Sequence, residues 1–199
     1  MADIEFYYDF GSPKSYFVYK LLPALAEKHG LAITYRPILL GGLFKLTNNV
    51  SPMEAFRDVK GKLAYNAHET RRFVKLHKLP YASNPHFPVM TIGVMRGAIH
   101  TNTHETAETY RKAVFEAMWE NKKKMDDPQV IAEVLEAAGL PAQDIMNATQ
   151  DPEVKQGLID ATSQAADRGL FGAPTLFYGE EMFFGKEGLF DLDLYLSSQ

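Results

Sequence analysis

Strand-like sequence is confined to the two ends of this chain, and that distribution limits the folds open to it. Near the start, "IEFYY" (4–8) and "LAITYRPI" (31–38) are rich in β-branched and aromatic residues and are bounded by turn formers. Near the end, "PTLFY" (174–178) and "EMFFG" (181–185) repeat that composition around a Gly179-Glu180 turn. Between Gly41 and Gln150 the segments have helical spacing, with Pro and Gly as punctuation. The order is β-α-β, a long helical block, then α-β-β-α. Two ends that complete one sheet around an insertion explain that order without an awkward connection. The expected fold class is α/β: a βαβ…αββα domain made of residues 1–40 and 151–199, interrupted by an inserted α-helical domain, 41–150.

The first unit has clear grammar. Ser12 caps a helix, Pro13 takes the first helical position where its missing N–H costs nothing, and Gly30 ends it. A strand, a helix of about four turns and a second strand make a right-handed parallel unit the default. The spacing predicts further helices over 52–78, 88–97, 103–124, 127–138, 141–148, 151–168 and from Lys186 to Leu196.

The chain has no cysteine. Disulfides, thiolate metal sites, thiol nucleophiles and Cys-x-x-Cys redox chemistry are thereby excluded, and any sulfur chemistry must use a borrowed thiol. A net charge of -4 and a pI near 5.9 argue against nucleic acid as a partner. Residues 1–10 carry Asp3, Glu5 and Asp9 without a basic start, and no apolar run approaches the ~20 residues of a membrane helix. A cytoplasmic protein that does not engage membranes is expected. No metal is expected either; His100 and His104 in "HTNTH" are only a weak hint. None of the six histidines lies in a motif that would serve a serine nucleophile.

Three stretches carry a resemblance: "FYYDFGSPKSYF", "RPILLGGLFKLTNN" and "RGLFGAPTLFYGEEMFFGKEGL". In the last, Ala173-Pro174 heads a strand as the cis-proline loop does in the thioredoxin superfamily. Together they resemble the kappa-class glutathione transferase branch of that superfamily, and more narrowly the 2-hydroxychromene-2-carboxylate isomerase family, from Phe6 to about Leu196. The family's last motif reads Phe-Gly-Ser/Asn-Asp-Arg; here it is Phe184-Gly185-Lys186-Glu187-Gly188.

The resemblance implies a thioredoxin-like fold, a homodimer, glutathione as cofactor and a small aromatic substrate. On spacing alone Ser12 is a cap; the resemblance makes it the catalytic residue that holds the glutathione sulfur. It further implies that Ala173 and Pro174 pair with the tripeptide backbone, that Glu187 meets the γ-glutamyl ammonium, and that Lys186 replaces the missing polar contact. Asn49 matches a residue near the glycine end. Lys45 and Lys62 are candidates for the carboxylate of an α-keto acid substrate. The implied reaction is cis/trans isomerisation between 2-hydroxychromene-2-carboxylate and trans-o-hydroxybenzylidenepyruvate. A kappa-like transferase or peroxidase and a non-catalytic peptide-binding module are the alternatives.

Overall fold

The structure, a computed structural model, describes residues 3–199. The chain begins with β1 (Ile4–Tyr8), α1 (Pro13–His29) and β2 (Ile33–Pro37). Helices α2 (Leu40–Leu46), α3 (Pro52–Ala55), α4 (Lys62–His77), α5 (Ile92–Thr101), α6 (Ala107–Trp119), α7 (Pro128–Ala137) and α8 (Ala142–Ala148) follow. The chain closes with α9 (Pro152–Asp167), β3 (Thr175–Tyr178), β4 (Glu181–Phe184) and α10 (Gly188–Ser197). One four-stranded sheet has the order β2-β1-β3-β4. β1 pairs parallel with β2, Phe6 opposite Tyr35, and antiparallel with β3, Phe6 opposite Leu176. The sheet is thus an α/β thioredoxin-type layer made from both ends of the chain.

As the central strand, β1 is covered on both faces. Ile4, Phe6 and Tyr8 face the larger core, which continues through Phe10, Tyr16 and Phe17 to Phe115 and Trp119 of α6. Phe10 meets Phe115 edge-on at 4.7 Å, and Tyr19 stacks on it at 4.7 Å. Tyr7 points the other way, into a smaller cluster with Ile38, Leu43, Ala165, Leu170 and Phe177. α2 and α9 cover that face.

Three helical expectations need correction. The predicted 52–78 helix is two pieces, because Gly61 takes a left-handed φ of 81° between α3 and α4. The one predicted over 88–97 starts at Ile92 instead, behind the cis Phe87-Pro88 bond. Thr91, at the capping position, leaves α5 uncapped because its hydroxyl donates to Asp9. The segment 103–124 is helical only from Ala107 to Trp119. Conversely, α2 was hidden by its paired glycines. Gly42 allows close packing there: a Cβ would lie 3.3 Å from the Thr162 methyl, and Thr162 Oγ1 accepts from the Leu39 N–H.

Candidate active site

Where β1 ends, the backbone turns through Asp9, Phe10 and Gly11 into α1. Asp9 is 1% exposed, and its carboxylate accepts three hydrogen bonds of 2.8 Å each, from Gly11 N, Leu40 N and Thr91 Oγ1. It joins the α1 entry, the start of α2 and the start of α5. Burial raises its pKa above the usual carboxylate value, against the lowering by those three donors. Phe10 is held alongside: Trp119 Nε1 donates to its carbonyl at 2.7 Å. Trp119 is therefore a core residue, stacked on Tyr81. Asp9 and Thr91 were not foreseen as site residues; the available signal was an acid directly following an aromatic strand.

Ser12 is 7% exposed and makes two contacts that answer different questions. Its Oγ accepts from Ser15 N at 3.1 Å, which caps α1. Its hydroxyl donates to the Ala173 carbonyl at 3.1 Å, which brings together residues 161 positions apart. The Ala173-Pro174 bond is cis. Capping and a place beside the proline loop are thus compatible.

The loop is pinned along its length. Asn49 Nδ2 donates to Phe171 O at 2.8 Å, Thr175 Oγ1 to Gly172 O at 2.9 Å, and Gly185 N to Pro174 O at 2.9 Å. Among the described residues the Ala173 N–H donates to no acceptor. Gly172 allows the Phe184 ring close, since a Cβ would stand 2.9 Å from it; Phe171 and Phe184 pack at 4.5 Å and are both partly exposed.

Glu187 precedes α10 with its side chain 63% exposed. Burial raises its pKa, but the Lys186 ammonium and the more distant Lys14, on the first turn of α1, outweigh that and lower it. Lys186 itself is 3% exposed, a departure from the expectation that it offers a polar contact to a ligand. Its Nζ lies 2.7 Å from Glu69 and 2.5 Å from Glu187, and 4.6 Å above the Phe73 ring. Burial lowers its pKa, and the two carboxylates reverse that, leaving it raised. Lys186 ties α4 to the start of α10.

The two other lysines are less defined. Lys45 is exposed in the last turn of α2. Lys62 opens α4, its ammonium 5.1 Å from the Phe56 ring and 5.9 Å from Tyr65. Among the described residues neither makes a hydrogen bond or ion pair with Ser12, Ala173 or Glu187. The rings of His100 and His104 lie 4.8 Å apart, but no group of three metal-binding side chains occurs among the described residues. No described helix is long and apolar enough to cross a membrane.

Comparison with known proteins agrees with the fold. The DSBA-like thioredoxin domain family matches residues 3–197. A 2-hydroxychromene-2-carboxylate isomerase of Pseudomonas putida is 30% identical over 96% of this chain and 92% of its own. Glutathione S-transferase kappa 1 of Caenorhabditis elegans is 25% identical over 92% of this chain and 86% of its own. A solved 2-hydroxychromene-2-carboxylate isomerase superposes with a TM-score of 0.85 at 29% identity, covering 98% of this chain and 94% of that one.

Proposed function

We propose that this chain, which belongs to the DSBA-like thioredoxin domain family and within it to the 2-hydroxychromene-2-carboxylate isomerases, is a glutathione-dependent isomerase of an aromatic α-keto acid. The observation that carries the reading is the Ser12 hydroxyl 3.1 Å from Ala173 O, beside a cis proline, in a chain without cysteine. The redox work of a thioredoxin-type site needs protein sulfur. A serine there cannot do that work, but it can hydrogen-bond a guest thiol.

The residues suit that guest. The free Ala173 N–H offers an edge for a tripeptide backbone, and exposed Glu187 offers a carboxylate for an ammonium group. Lys186 contributes by holding Glu187 in place, and Asn49 by fixing the Phe171 carbonyl at the loop's other end. Glutathione, when bound, supplies a thiolate that adds reversibly to a conjugated double bond, letting it rotate, and then leaves. Ser12 turns its hydroxyl hydrogen from Ala173 O towards the sulfur, where the α1 N-terminus also favours negative charge. One such charge-assisted bond is worth roughly 1.5–3 kcal/mol, about one to two pKa units if it favours only the anion. Lys45 and Lys62 are the cations available for a substrate carboxylate, and for the enolate-like charge that develops beside it.

The test uses wild type and Ser12→Ala. Wild type equilibrates 2-hydroxychromene-2-carboxylate with sub-stoichiometric glutathione, and the variant is more than tenfold slower. Loss of the cap removes only about 1 kcal/mol of stability, so the variant remains folded. Equal rates would return Ser12 to capping alone. The kappa-class likeness favours one second reading, transferase or peroxidase activity; it predicts depletion of reduced glutathione, whereas isomerisation leaves the total unchanged.

A further inference from the structure

Charge is segregated along this chain. Between Lys45 and Lys78 there are eight Lys or Arg against three Asp or Glu, a surplus of five positive charges. With the whole chain at -4, the remainder carries -9. Two of the three acids in the segment are paired, Asp58 with Arg57 and Glu69 with Lys186. Among the described residues Lys60, Lys62, Arg71, Arg72 and Lys75 have no ion-pair partner, and all but Lys62 are exposed. Exposed Leu46, Val50, Met53 and Tyr65 lie among these cations.

The segment is fastened to the candidate site at two points. Asn49 reaches Phe171 O in the proline loop at 2.8 Å, and Glu69 reaches Lys186, next to Glu187, at 2.7 Å. Its core contact is narrow: of the residues in α4 only Phe73 is buried, with Val74 partly buried beside it. We propose that residues 45–78 form a cationic, partly apolar rim that concentrates aromatic carboxylates near the Ser12 site while the acidic remainder of the surface repels them. A field of one sign around a cleft raises the local concentration and arrival rate of the opposite sign. Its reach is about 8 Å at physiological ionic strength, so the effect is lost in high salt. The inference rests on the isomerase reading only in taking this cleft as the ligand site.

The field itself is measurable without turnover. Paramagnetic relaxation of the Gly172, Ala173 and Glu187 amides is compared between anionic carboxy-PROXYL and neutral carbamoyl-PROXYL. At low salt the anionic probe acts roughly two- to threefold more strongly there, as a potential near one kT requires. Arg71→Glu/Arg72→Glu, and independently Lys60→Glu/Lys75→Glu, cut that excess by half or more, as does ~0.5 M salt. In the chromene-carboxylate assay the same variants lower kcat/KM several-fold at low salt and leave kcat unchanged. Equal relaxation by the two probes, or an excess unmoved by both double variants, overturns the rim. An intact excess without isomerisation would instead overturn the isomerase reading and leave the rim standing.

Discussion

At the scale of single residues, the site is organised by an acid that lies within the Ser12 stretch but to which the sequence reading gave no role. Asp9 places three donors from three elements on one buried carboxylate, and Ser12 follows three residues later on the backbone so fixed. Asp9→Ala strands two N–H groups and a hydroxyl in a dry place, each at about 1–3 kcal/mol. A loss of about 3 kcal/mol or more is expected by urea titration, and Asp9→Asn, which keeps one acceptor oxygen, should lose less. A loss below ~1 kcal/mol for Asp9→Ala would show that water or rearrangement satisfies those donors. Ser12 as a cap and Pro174 as the head of a strand were legible because Ser-Pro and Ala-Pro sit at element boundaries, where local chemistry is restrictive; their roles in a site came from the resemblance alone. Asp9 was not, because nothing local tells a buried carboxylate from a solvated one. The Lys186–Glu69 pair was equally hidden: positions 69 and 186 share no pattern, and only the packed chain makes them neighbours.

At the scale of elements, the strands and the helices behaved differently as signals. The four strands and α1, α7, α8 and α9 lie close to where alternation, Ser/Asp-Pro starts and Gly stops put them. The misjudged helices have different causes: 52–78 is broken locally at Gly61, whereas the start of α5 depends on a tertiary partner, Thr91 bound to Asp9. The α9 end shows such a partner at work. Arg168, which follows α9, donates to Glu5 of β1 at 2.5 Å, to Tyr7 Oη at 3.0 Å and to Gly179 O at 3.0 Å, and lies 3.8 Å over the Phe177 ring. Burial would raise the Glu5 pKa; Arg168 and Arg36 overcome that and hold it below its reference of 4.5. A depressed folded pKa means stability that is complete above the unfolded value and lost as pH falls through the folded one. The stability gap between wild type and Glu5→Gln should therefore be constant above about pH 5.5 and close progressively below pH 4.5, as thermal melts across that range would reveal. A gap that widened on acidification would contradict the assignment.

At the scale of the whole molecule, the helical insertion and the sheet share a core through Phe10, Tyr16 and Phe115, while α4 is attached mainly at its edge. Lys186 is the polar part of that attachment. Lys186→Met keeps a stem over Phe73 but leaves Glu69 and Glu187 facing each other. Because both carboxylates are partly exposed, the expected loss is about 1–2 kcal/mol rather than the 3–5 of a dry pair. The clearer readout is local: amide exchange across residues 62–77 should accelerate about tenfold or more, with that of α6 unchanged. Uniform acceleration of both would argue against a latch specific to α4.

The central position of β1 also bears on how the chain is made. One of its edges is closed by β2 soon after synthesis starts, but the other waits for β3, which begins only at Thr175. At about 5–20 residues per second, the ribosome leaves that aromatic edge uncovered for on the order of ten seconds. Throughout that interval Ser12 has no Ala173 to meet, so a partial product carries no assembled cleft. A nascent polypeptide that must be shielded is also one that cannot act before it is finished.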